Sequence, residues 1–172
     1  MIAGQTINLR PLERRHMERT RAWANDPVLA RLMDRARAVS EEEHERWFSA
    51  LHEQADSVYF AIETRREERH VGNVWLWAID ERHRKAELRI VIGEHDFFGQ
   101  GVGTEAISLV CSYAFERLGL HKVYAYVLAI NPRARRAFER AGFVLEGTLK
   151  EDRCVDGQYT DVYLLGRLNK TL

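Results

Sequence analysis

Gly99, Gly101 and Gly103 stand at alternate positions between two segments of different periodicity. Before them, Leu88, Ile90 and Ile92 alternate with Glu87, Arg89 and Val91, the period of a strand. After them, Ala106, Ile107, Val110, Cys111 and Ala114 recur at helical spacing. A strand, a glycine-rich bend and a helix, in that order, turn the free N–H groups of the helix's first turn toward the bend, with no side chains in the way. Those amides carry partial positive charge, so the bend is an anion cradle suited to phosphate. A Walker A loop is excluded, because Thr104-Glu105 follows the last glycine where Lys-Ser or Lys-Thr is required. Gly101-Val102-Gly103-Thr104-Glu105-Ala106 nearly matches a dinucleotide fingerprint. That motif needs an acidic residue about 20 positions on, closing the next strand. The strand from Lys122 to Ala129 has no such end.

The elements that must position this bend come from the rest of the chain. Its 172 residues suit one domain, 1–172, and 45% hydrophobic with 30% charged residues is ordinary for a globular protein. With 26 basic and 26 acidic residues, there is no electrostatic case for nucleic acid or an anionic membrane. No apolar run approaches the ~20 residues that span a bilayer, and no signal-peptide pattern opens the chain. Cys111 and Cys154 indicate neither a disulfide framework nor a zinc site, and a reduced cytoplasm is the simplest setting. The seven histidines lack metal-ligand spacing, so no metal is expected. Ile7 to Arg10 reads as a strand; Leu12 to Trp23 and Pro27 to Met33 read as helices, with Asp26 capping the second. Ser40-Glu41-Glu42-Glu43 is a capping box opening a helix whose apolar face holds Trp47, Phe48 and Leu51. Ser57 to Thr64 and Val71 to Ile79 follow as strands, and short loops predict an antiparallel sheet. The helix between Glu87–Ile92 and His121–Ala129 predicts parallel pairing of those two strands. Asn131 caps a helix ending at Gly142, and Phe143–Lys150 and Tyr159–Leu168 close the chain as strands around Asp156-Gly157.

The loop Phe98-Gly99-Gln100-Gly101-Val102-Gly103 resembles the pyrophosphate loop of the GNAT N-acetyltransferase superfamily, Arg/Gln-x-x-Gly-x-Gly/Ala. Phe98 replaces the usual Arg or Gln, a departure familiar in the RimJ/RimL-type branch. The stretch from Asn131 through Ala134, Phe138, Glu139 and Arg140 to Gly142-Phe143 is similar to the other hallmark, Asn-x-x-Ala-x-x-x-Tyr-Glu-Lys-x-Gly-Phe. The likeness extends from Leu9-Arg10-Pro11 through Gly72-Asn73 to Gly157-Gln158-Tyr159, nearly the whole chain. It implies an α/β fold with a GNAT-like mixed, mostly antiparallel sheet flanked by helices, and a splayed parallel strand pair holding acetyl-CoA. By this resemblance the pantetheine arm pairs with Glu87–Ile92, and the pyrophosphate takes N–H groups from Phe98, Gly99, Gln100, Gly101, Val102, Gly103 and Thr104. Asn131 bonds the pantetheine, a role compatible with helix capping.

The resemblance also implies direct acetyl transfer to an amine, which needs a base, oxyanion donors and a proton for the leaving thiolate. Glu87 is the candidate base, weighed against a glutamate merely paired with Arg84, Lys85 or Arg89. A backbone N–H at Val91 or Ile92, where the strand must bulge from its neighbour, is the candidate oxyanion donor. The family's usual acid is a tyrosine where this chain has Phe138, so Tyr126 is the candidate, with Tyr124 and Tyr159 as alternatives. The first helices and the third strand should form the acceptor pocket, with Trp23, Trp47, Trp75 and Trp77 as stacking surfaces and core packing as the plainer role for some of them. The leading expectation is an N-acetyltransferase acting on a primary amine, a small amine or an amino sugar. Polyamine and protein N-terminal acetylation follow, the former if Glu41, Glu42, Glu43 and Glu45 gather in the pocket. The reading from another class is a catalytically idle acyl-CoA-binding module. Expected partners are the amine acceptor and, in a homodimer, a second copy of the chain.

Overall fold

The computed structural model describes residues 1–171. Its strands are β1 (Ile2–Ala3), β2 (Ile7–Pro11), β3 (Val58–Thr64), β4 (His70–Asp80), β5 (Lys85–Ile92), β6 (Lys122–Leu128), β7 (Val144–Val155) and β8 (Gln158–Leu168). They form one sheet in the order β1-β2-β3-β4-β5-β6-β8-β7. Every neighbouring pair is antiparallel except β5 and β6. The helices are α1 (Met17–Ala24), α2 (Pro27–Leu32), α3 (Glu41–Leu51), α4 (Val102–Glu116) and α5 (Pro132–Arg140). This is the mixed, mostly antiparallel sheet with a single parallel pair that the sequence predicts.

Strand alternation divides the side chains between two layers. Val74, Leu76, Leu88 and Ile90 point to the α4 side, where Ala106, Ile107, Val110, Cys111 and Ala114 complete the main core with Phe138 and Phe143. Tyr59, Trp75 and Arg89 are cross-strand partners on the opposite face, as are Trp77 and Glu87. That face carries a smaller cluster of Leu12, Met17, Phe48, Leu51 and Ala61 beneath α1 and α3.

Several local expectations are met through their chemistry. Asp26 accepts from the amides of Val28 and Leu29 to cap α2. Ser40 and Glu43 form the reciprocal capping box of α3. Asn131 accepts from the Ala134 amide at 3.2 Å. Others differ. The helix expected from Leu12 starts later: a 3-10 turn at Arg14–His16 precedes α1, because the His16 ring accepts from the Glu13 amide and closes a separate cap there. β2 and β3 pair antiparallel although α1, α2 and α3 lie between them. β7 runs on to Val155, past the expected end at Lys150, because register shifts at Leu145/Gly147 and Leu149/Arg153 break its alternation without ending the pairing.

Candidate active site

The parallel pair opens. β5 and β6 are bonded at only three rungs, Lys85–Lys122, Ala86–Val123 and Glu87–Tyr124, and then diverge while β6 stays zipped to β8 as far as Leu128. On its other side β5 keeps regular register with β4 from Glu87 to Ile92. The bulge expected near Val91 and Ile92 is therefore absent; the gap arises because β6 turns away. Gly93 donates to Val71, which makes Val91–Asn73 and Arg89–Trp75 the hydrogen-bonded pairs of the ladder. Alternation then spends the Val91 amide on β4 and directs those of Ile90 and Ile92 into the gap. Of the two expected oxyanion donors, Ile92 is the one so directed.

The glycine bend closes the far end of the gap. Gly99 and Gly101 have φ of 72° and 83°, a conformation that costs other residues about 1–2 kcal/mol, and a Cβ at either would meet nothing within 4 Å. Gly101 is the N-cap of α4 and offers no side-chain cap, so the first helical hydrogen bond is Glu105 to Gly101. The amides of Val102, Gly103 and Thr104 are thereby left to an anion. Phe98 is different: its amide donates to His95, so it is not among the free donors. Its ring is sandwiched between His95, at 4.8 Å, and the Arg133 guanidinium, at 3.6 Å, which fixes the bend against α5. The Gln100 side chain donates to the Asp96 carbonyl and braces the bend from within. Glu105 accepts from the amides of Gln5 and Thr6, anchoring α4 to the start of the chain.

The resulting cleft is lined by Ile90, Val91, Ile92, Phe98, the three glycines, Thr104, Asn131 and Phe138. A connected section beside it brings together Glu87, Tyr126, Asn131 and Phe138, so the two candidate catalytic residues share one space. Their states differ from the expectation of a free base. Both Glu87 oxygens are held by Arg89, at 2.8 and 3.1 Å, with the guanidinium lying over Trp77. Tyr126 is half exposed and packs edge-on against Tyr124. Burial and the nearby Glu87 charge raise the Tyr124 pKa, which keeps that phenol protonated. Tyr159 is 70% exposed at the β7–β8 turn and lies outside the cleft.

The four tryptophans converge. Trp23, Trp47, Trp75 and Trp77 all line one pocket on the α1–α3 face, with Tyr59, Asn73, Arg35, His44 and Arg89. Trp75 stacks on Tyr59 at 5.7 Å and Trp47 meets Tyr59 edge-on. Trp23 is the most buried of the four; its Nε1 donates to Glu94 at 3.1 Å and its ring leans on His70. Burial lowers the His44 pKa, helped by Arg21 and Arg35, and its Nε2 has no protein partner. Among the described residues no carboxylate lines this pocket. Glu41, Glu43 and Glu45 instead pair outward with Arg21, Arg37 and Arg14 on the exposed turn of α3. Met33 and Val91 line both this pocket and the glycine-bend cleft, so the two cavities meet there. Beyond Met33, Arg31–Asp156 at 2.7 Å and Arg153–Asp34 at 3.4 Å tie the end of α2 to the β7–β8 hairpin.

Sequence reasoning missed Arg35, His44, Tyr59 and Met33. Tyr59 could have been found as the cross-strand partner of Trp75. Met33 was legible only as the end of the helix from Pro27, and Arg35 lies in the irregular segment after it, which carries no periodic signal.

A splayed parallel pair, a glycine bend capping α4 and a second cavity meeting the first make up the architecture of an acetyl-CoA-dependent acyltransferase. Residues 6–144 match the model of the acetyltransferase (GNAT) domain, and the chain belongs to that family of N-acetyltransferases. Spermidine N(1)-acetyltransferase of Vibrio cholerae is 41% identical over 93 residues, covering 54% of this chain and 53% of that protein. The Escherichia coli enzyme of the same name is 29% identical over 160 residues, covering 92% and 84%. The crystal structure of spermidine N-acetyltransferase from Vibrio cholerae in complex with CoA and spermine superposes with a TM-score of 0.88, at 30% identity over 96% of each chain. Among the described residues no helix is long and apolar enough to cross a membrane.

Proposed function

We propose that the chain transfers the acetyl group of acetyl-CoA directly to the primary amine of a small molecule. The observation that carries this is the three-rung β5–β6 pairing, which leaves the β5 edge from Leu88 to Ile92 open beside the glycine bend. Acetyl-CoA supplies the activated acetyl thioester. The amides of Gly99 to Thr104 hold its diphosphate, the β5 edge and Asn131 align its arm, and the Ile92 amide donates to the thioester oxygen. Glu87 takes the amine proton once Arg89 yields one of its oxygens, and Tyr126 returns a proton to the thiolate. Free Cys111 and Cys154 suit a reducing compartment, the cytoplasm. The proposed assembly is a homodimer, which light scattering tests. Placement in the RimJ/RimL-type branch rests on Phe98 and on the likeness of Trp23–Pro27 and Ser40–Phe48 to the N-terminal region of nucleotide-linked amino-sugar N-acetyltransferases.

For the acceptor, the spermidine N-acetyltransferases among the relatives support a polyamine over the amino sugar that the sequence puts first. One observation favours a second reading. The aromatic pocket offers Arg35, Arg89 and four tryptophans and no carboxylate, an inventory suited to an amine whose remainder is flat or anionic, such as a nucleotide-linked amino sugar. Thiol release from acetyl-CoA with spermidine, spermine, a nucleotide-linked amino sugar and a peptide N-terminus separates these readings. Turnover with a polyamine alone retires the sugar. No release with any of these amines, together with failure to bind CoA, would sink the acetyltransferase assignment for this site.

A further inference from the structure

Arg133, Arg136 and Arg140 fall at i, i+3 and i+7 of α5, along one face, and all three line the glycine-bend cleft. Among the described residues they are the only charged side chains that line it. Among the described residues none of them has a carboxylate partner. Arg135 on the same helix differs: it pairs with Glu139 at 2.8 Å and lies over Tyr163. Burial and the charge of Arg136 lower the Arg133 pKa, the direction expected of crowded like charges. Three guanidiniums at successive helical turns repel one another, and an anion brought among them turns that repulsion into attraction.

The identity of that anion rests on the acetyl-CoA reading above. Coenzyme A carries three phosphate groups. Two form the diphosphate, which the amides of the bend are shaped to take. The third, on the ribose 3′ carbon, is a terminal dianion with three free oxygens, the geometry for which guanidinium forks are matched. We propose that Arg136 and Arg140 bind the 3′-phosphate of coenzyme A, with Arg133, pinned over Phe98, standing between them and the diphosphate. The pair sits outside the reacting gap, so it reads the donor's handle and takes no part in acetyl transfer.

Calorimetric titration with CoA and with 3′-dephospho-CoA tests this on the wild type, Arg136→Gln, Arg140→Gln, the double variant and an Arg135→Gln control. Thermal melts establish that each variant is folded. The wild type should prefer CoA by about tenfold or more, the scale of a charge-assisted contact. Each single variant should lose part of that preference and the double variant nearly all of it, with 3′-dephospho-CoA affinity unchanged throughout. The Arg135→Gln control should keep the preference. Equal losses for both ligands would assign the arginines to the diphosphate and overturn the proposal, as would a wild type that does not discriminate. A wild type binding neither ligand would overturn the donor reading as well.

Discussion

Replacing Gly93 with alanine should damage the acceptor pocket from behind. Gly93 follows β5, and a Cβ there would lie well inside 3.0 Å of the Cδ2, Cε2 and Cγ atoms of Trp23, closer than packed carbons come. The ring moves only by giving up its contacts: it is 5% exposed, leans on His70 at 4.6 Å and donates to Glu94 at 3.1 Å. Overpacking a filled site costs about 1–3 kcal/mol. Breaking a hydrogen bond to a carboxylate adds about 1.5–3 kcal/mol, taken at the low end because Glu94 keeps its contact with Arg69. The sum is about 3 kcal/mol, which for a chain of this size lowers Tm by roughly 6–12 °C. Because Trp23 lines the proposed acceptor pocket and not the glycine bend, the KM for the best acceptor should rise while the Kd for CoA stays near the wild-type value. Scanning calorimetry, initial-rate kinetics and CoA titration read the three quantities. A variant that melts within about 2 °C of the wild type with unchanged acceptor KM would refute the packing argument.

Phe138→Tyr restores a phenol to the cleft, and since a positioned acid contributes about 10²–10⁴-fold, kcat should rise; an unchanged kcat in a folded variant would mean that Tyr126 or water already protonates the thiolate. Arg89→Met releases both Glu87 oxygens, so a cationic acceptor should bind more tightly while stability falls by about 1–3 kcal/mol, read by acceptor KM and urea unfolding. His70 is buried and its pKa is pushed down to about 4, chiefly by burial. The folded protein thus resists a proton that the unfolded chain accepts near pH 6.5. Its contribution is complete above that pH and lost as pH falls toward about 4, a change of about 3 kcal/mol. Urea midpoints across that range should fall less steeply in His70→Gln, and parallel slopes would count against the burial argument.

What the sequence made legible is local or motif-bound. The strand–bend–helix order, the Asp26, Ser40 and Asn131 caps and the parallel pair all follow from residues close together in the chain. The separation of β5 from β6 followed only from the family likeness, and the residues carry no mark of which strand departs. Glu87 illustrates the harder case. Its strand period put it on the pocket-bearing face, but Arg89, two residues on and one of three basic neighbours considered, claims both oxygens. The acceptor is harder still. Arg35, His44, Tyr59 and Trp75 come from separate segments, so no spacing announces the pocket, and the preference for an amino sugar over a polyamine runs against the relatives that match.

Among the described residues Met33 and Val91 are the wall shared by the glycine-bend cleft and the aromatic pocket, and the ion pairs from Arg31 and Asp34 arch from the end of α2, beside that junction, to the hairpin. Two cavities of the protein thus meet at one point, which under the proposed function lets donor and acceptor be bound together. Double-reciprocal plots should therefore intersect, and a conjugate joining amine to thiol would have to thread through the arch, arriving slowly and leaving more slowly still.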